Sequence, residues 1–167
     1  MLNDAELNFV RQQGFSYAEG AESRPWYNAL MFQPRITAVL VVVGLVLQAW
    51  LLFLVLSLIS WWNVLLPALN PYDYLYNRLV ASPRGLPKLT PAPLPRRFAQ
   101  GMAGTFMLAV GVLLLARWYV AAGVVEVMLV GALGALLFGR FCLGSYIFHL
   151  LRGQTRFAND TLPWVHA

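Results

Sequence analysis

The chain has 167 residues, 59% of them apolar and only 11% charged, with a mean hydropathy of +0.62. Soluble domains carry about 25% charge, so a soluble globule is excluded, and the apolar content excludes a disordered chain. The net charge of +5 comes from basic residues dispersed between apolar runs. That is the pattern of topogenic charges facing anionic lipid, not of a nucleic-acid footprint.

Residues 1–33 are mixed and polar, with Asp4, Glu6, Glu19 and Glu22 set against Arg11 and Arg24. No apolar run follows a basic start, so this segment does not read as a cleavable signal peptide. A short amphipathic helix is expected over 5–13, at the membrane surface or against a partner, with Gly14 and Gly20 interrupting it. The stretch 36–69 has no charge. As one helix it would measure about 51 Å, against a hydrocarbon core of about 30 Å. Either one helix runs from 36 to about 58 with Trp61 and Trp62 in the interface, or a tight hairpin at 48–50 joins spans 36–48 and 51–69.

Residues 70–97 form a Pro-rich linker. Pro83, Pro87, Pro91, Pro93 and Pro95 favour extended polyproline II. Arg78, Arg84, Lys88, Arg96 and Arg97 against Asp73 alone make it a topogenic, solvent-facing cytoplasmic loop. Two more apolar spans follow, 98–116 and 118–139, the second interrupted only by Glu126. The short connection around Arg117 makes them an antiparallel helical hairpin. The apolar stretch to 151 extends the last helix by three turns or bends along the interface, and 154–167 is a polar tail.

Positive charge arbitrates between the topologies. Four spans place every Lys and Arg except Arg117 on the cytoplasmic side, whereas three spans would also leave Arg11, Arg24 and Arg35 outside. The Trp61–Trp62 pair argues for three. The expected fold is therefore all-α and integral to the membrane, with four transmembrane helices in two hairpins over a membrane domain of 34–153. Both termini would be cytoplasmic, and a three-span arrangement is the alternative.

Few residues carry candidate chemistry. Glu126 stands inside a span, where an ionisable group costs a few kcal/mol on insertion scales. It is a proton or ligand site, or else a glutamate near the outer end or hydrogen-bonded to a neighbouring helix. Arg117 and Arg140 are too far along the chain for an i,i+4 pair. Cys142 is the single cysteine, so no intrachain disulfide forms. It follows Arg140, and reactive thiols favour cationic surroundings, but a lone cysteine in an apolar helix is ordinarily a small packing residue. His149 shares roughly its helical face; with only His166 besides, it makes a poor metal or haem site. No Ser/His/Asp set, Walker loop, dinucleotide fingerprint or zinc spacing occurs, so neither catalysis, a cofactor nor a metal is indicated. The small residues Gly101, Gly104, Gly111, Gly131, Gly134 and Ala135 are expected at helix contacts, within the chain or with another subunit.

The blocks Asn70-Pro71-Tyr72, Leu75-Tyr76-Asn77-Arg78-Leu79, Pro83-Arg84, Ala92-Pro93, Pro95-Arg96-Arg97-Phe98-Ala99-Gln100 and Phe141-Cys142-Leu143-Gly144 occur in this order. Together they resemble a family of small bacterial membrane proteins known as domain of unknown function 4395, over about 34–153. The resemblance implies a four-helix membrane domain and no defined activity. It also implies a Cys-x-x-Cys in many members, where Ser145 here replaces the second thiol. The chain is thus expected to be a non-catalytic accessory, scaffold or assembly subunit of a larger complex in the bacterial inner membrane. Its partners would be the lipid bilayer and other membrane subunits, with no nucleic acid. The alternative is a membrane thiol protein in sulfur or redox chemistry through Cys142, and a weaker one is a proton or ligand path through Glu126. Quinone, pigment or lipid between the helices are all compatible with the aromatic-rich spans.

Overall fold

A computed structural model describes residues 2–15 and 23–165. Ten α-helices follow in chain order among the described residues: α1 Asp4–Gln12, α2 Ser23–Leu30, α3 Phe32–Leu47, α4 Trp50–Leu65, α5 Pro71–Tyr76, α6 Ser82–Arg84, α7 Leu94–Leu115, α8 Tyr119–Leu137, α9 Leu143–Leu151 and α10 Thr155–Asp160. The same residues contain no strand. Among the described residues, three stretches are long and apolar enough to cross a membrane: Arg24–Leu47, Leu94–Leu115 and Tyr119–Leu137. The fourth apolar helix, α4, has 16 residues, about 24 Å of rise. The 3-10 turn Pro67–Leu69 behind it adds about 6 Å.

The two-arm arrangement of the first apolar stretch holds. Gln48 takes the left-handed conformation, φ 48° and ψ 42°, and the Ala49 N–H closes the turn onto the Gly44 carbonyl at 2.9 Å. The second hairpin turns at Arg117, φ 61°, where the Trp118 N–H returns to the Leu113 carbonyl at 2.9 Å, as in a Schellman-type helix end. Helices α3, α4, α7 and α8 pack around a core of Val41, Phe53, Leu56, Met107, Val110, Leu114, Ala122 and Leu129. Their outer faces remain apolar and exposed, with Val46 at 77% and Val120 at 87%. A soluble protein does not expose so much contiguous apolar surface, so these faces belong against lipid.

Glycines allow a close approach between α4 and α7. A Cβ at Gly104 would lie 3.1 Å from Ser60 Cβ and Trp61 Cδ1, and one at Gly111 would lie 2.7 Å from Leu54 Cδ2. The Ser57 hydroxyl donates to the Gly104 carbonyl at 2.8 Å across this contact.

The structure decides one open alternative of the sequence reading and departs from it in two places. The last span does not extend to 151: α8 stops at Leu137, and Arg140 turns the chain with φ 53°. Helix α9 then packs back on α7, where a Cβ at Gly144 would sit 2.6 Å from Ala99 Cα. The linker is not a solvated loop either. It folds into α5, a π turn at Asn77–Ala81 and α6, and buries Asn70, Asp73, Tyr76, Ala81, Leu89 and Ala92. The Asn77 amide holds the extended prolines by donating to the Leu89 carbonyl at 3.0 Å and accepting from its N–H at 2.7 Å. Finally, α1 docks on its own chain. Phe9 and Val10 enter a second core with Phe15, Tyr27, Leu30, Met31, Tyr76, Leu89 and Cys142, and the Asn8 amide donates to the Leu162 and Val165 carbonyls. N-terminal segment, linker, α9 and tail thus form a cap at one end of the four-helix bundle. The positions Glu19, Glu22 and His166 lie outside the described residues.

Candidate functional site

Under this cap, α3, α7, α8 and α9 leave a cavity of about 330 Å³. Its walls are apolar: Phe106 and Met107 on α7, Leu129 and Leu133 on α8, Ile147 on α9. Polar side chains gather among its lining residues: Gln33 from α3, Arg96 and Gln100 from α7, and Cys142 just before α9. Arg96 and Gln100 stand one turn apart on the same face of α7, which is why both reach α3.

One oxygen organises the cluster. Gln33 Oε1 accepts from Arg96 Nη2 at 3.3 Å, from Gln100 Nε2 at 2.9 Å and from Asn70 Nδ2 at 3.4 Å. A guanidinium only donates, so Gln33 must present its oxygen to Arg96. Gln100 must then turn its amide nitrogen inward, and its own Oε1 is left buried with no partner in the structure. Arg96 is 5% exposed; its Nη2 faces Asp73 Oδ1 at 3.6 Å, while its Nη1 has no hydrogen-bond partner. The guanidinium carbon lies 5.8 Å from the Phe15 ring centroid, a cation–π distance. Burial pushes the Asp73 carboxyl above its usual range, opposed by the Arg96 charge and by the Asn70 amide hydrogen bond of 3.0 Å.

The expected candidates fall in different places. Cys142 lines the cavity, and its backbone N–H donates to Gln12 Oε1 at 3.0 Å. His149 acts as a clamp, with Nε2 donating to the Gln12 carbonyl at 3.1 Å and Nδ1 2.7 Å from Gln154 Oε1. Among the described residues, no group of three His, Cys, Asp or Glu is placed to hold a metal. Glu126 is half-buried away from the cavity, where Oε1 accepts from Gln48 Nε2 at 3.3 Å and ties α8 to the first hairpin turn. Gly101 meets Val64 at ordinary van der Waals distance and Gly104 is tightly packed, whereas Gly131 and Gly134 face open space. Ala135 is half-buried, and its carbonyl accepts from the Phe141 N–H at 3.1 Å.

Sequence reasoning missed Gln33, Asn70, Asp73, Arg96 and Gln100. In the sequence Arg96 is one of five basic residues between 70 and 97. Its neighbour Arg97 instead donates through Nε and Nη2 to the Val64 carbonyl at the end of α4. The available signal was the i,i+4 spacing of Arg96 and Gln100 at the start of an apolar helix.

These features define a four-helix membrane protein with a capped, polar-ended cavity. Residues 28–153, about three quarters of the chain, match the sequence model of the family described as Domain of unknown function (DUF4395), and the chain belongs to that family. The matched region runs from α2 to just beyond α9 and contains every residue of the polar cluster, but not α1. Neither a curated protein nor a solved structure matches the chain.

Proposed function

We propose that this is a non-catalytic protein of the bacterial inner membrane that holds an amphipathic small molecule in the capped cavity and serves as an accessory or assembly subunit of a larger membrane complex. One observation carries the binding role: apolar walls around about 330 Å³ meet a polar group of lining residues, Gln33, Arg96 and Gln100. A head group with a hydroxyl, which both donates and accepts, suits a lining that mixes a guanidinium with amides. Quinols and lipid alcohols have that chemistry, together with a tail suited to the walls.

The subunit role is supported by α8. Gly123, Gly131 and Gly134 have nothing within 4 Å of an added Cβ, and small residues let a second helix approach closely. An inner-membrane location with both termini cytoplasmic is supported by the basic residues, all of which except Arg117 belong to the capped end of a two-hairpin bundle.

The test is purification in a mild detergent, organic extraction and mass spectrometry of bound small molecules and co-purifying subunits. A stoichiometric hydroxyl-bearing amphiphile is expected, and an Ala132→Phe variant, which fills the cavity from α8, should lose it. An identical extract from the variant sinks the binding role, and recovery of the protein alone sinks the subunit role. A second reading is favoured by the place of Cys142 in the same cavity as Arg96: a membrane thiol protein in sulfur or redox chemistry. It requires a mixed disulfide with a partner that Cys142→Ser abolishes, and an unchanged phenotype in that variant overturns it.

A further inference from the structure

A second feature lies on the other side of α3. Arg24 in the first turn of α2, Arg35 in the first turn of α3 and Arg84 at the end of α6 line one groove of about 590 Å³, with Asn28, Phe32 and Tyr76. All three arginines are exposed. Among the described residues, none of them forms a salt bridge; those found are Arg96–Asp73 and Arg140–Glu6. The Phe32 and Tyr76 rings pack at 5.4 Å beside them. Three like charges lining one groove favour the entry of an anion, and guanidinium forks match phosphate oxygens bidentately.

The position selects the source of that phosphate. Arg35 precedes Val39 by one helical turn, about 6 Å along α3. At Val39 the lipid-facing side of the helix begins, with Val39 63%, Val42 56% and Val46 77% exposed. The groove therefore opens at headgroup level, immediately above an apolar stripe with i, i+3, i+7 spacing that runs towards the bilayer centre. At that level the phosphates within reach are those of lipid headgroups, whose acyl chains meet the same stripe.

We propose that this groove is a headgroup site for an acidic phospholipid, in which Arg24, Arg35 and Arg84 donate to the phosphodiester and the acyl chains lie along the exposed face of α3. The site is separate from the capped cavity and does not depend on what fills it. Basic pockets on the cytoplasmic side of membrane helices recognise anionic lipid by the same chemistry.

The test uses the full chain, delipidated in a neutral detergent and titrated with phosphatidylglycerol, phosphatidylcholine or inorganic phosphate, with bound lipid counted by native mass spectrometry. Wild type is expected to prefer phosphatidylglycerol over phosphatidylcholine by about tenfold, a preference that weakens as salt rises. The triple variant Arg24→Gln/Arg35→Gln/Arg84→Gln should lose that preference, and Arg117→Gln, at the far end of the bundle, should keep it. Unfolding of the triple variant without lipid should match wild type, because all three side chains are exposed. Retained preference in the triple variant overturns the site, as does an equal loss in Arg117→Gln. Saturation by inorganic phosphate that phosphatidylglycerol does not displace overturns the lipid assignment.

Discussion

Gln100 Nε2 donates to Gln33 Oε1 at 2.9 Å, and this one contact fixes which end of the Gln100 amide is left without a partner. Gln33 has no freedom to flip, because Arg96 donates to the same oxygen at 3.3 Å. Gln100 Oε1 and Arg96 Nη1 are thereby left buried without a hydrogen-bond partner beside the cavity.

Removing that shared acceptor should be costly. Gln33→Leu strips an oxygen from three donors, including a buried guanidinium, and should destabilise the protein by about 2–3 kcal/mol. Gln33→Glu keeps an acceptor and should lose less. Unfolding of both variants in detergent, side by side with wild type, checks the order; equal loss in both contradicts the shared-acceptor role.

Asp73 gives the pH dependence a sign. Burial raises its carboxyl above the ordinary 3.8, so the folded state holds this proton more tightly than the unfolded chain. Its contribution is fully present below the unfolded value and is lost as pH rises through the raised folded value. Thermal unfolding temperature should therefore rise as pH falls across that window. Asp73→Asn, fixed in the neutral form, should show a flatter profile, and parallel profiles for the two proteins would contradict the assignment.

The glycines should separate into two groups. Gly111→Ala drives a methyl to 2.7 Å from Leu54 Cδ2 and 3.1 Å from the Trp50 carbonyl, an overpacking expected to cost about 1–3 kcal/mol. Gly131→Ala meets nothing within 4 Å and should be neutral or gain up to about 1 kcal/mol from helix propensity. If α8 docks a partner helix there, Gly131→Leu should release the partner from the purified complex without lowering the stability of the protein alone.

Topology is accessible to single-cysteine labelling. In a Cys142→Ser background, Trp118→Cys at the second hairpin turn should react with an impermeant maleimide in intact cells, and Lys88→Cys in the cap only after lysis. The reverse pattern would invert the orientation proposed from the basic residues.

The sequence alone determined the class. Charge-free apolar runs suffice for a helical membrane bundle of three or four spans, because in lipid the backbone must satisfy itself within helices. Hydropathy has no long-range content, however, and it could not show that the polar segments fold together. The prolines of 83–95 read as a solvated linker, yet Asn77 pins them at Leu89 while Tyr76 and Leu89 sink into the cap core. Nor did any local pattern distinguish Arg96, buried on Gln33 and Asp73, from Arg97, bound to the end of α4. Adjacent residues on a helix point about 100° apart, and only the packing of α3, α4 and α5 around α7 decides which arginine faces the cavity. The bundle is written in composition and spacing; the site exists only where four segments distant in sequence bring their few polar side chains to one buried point.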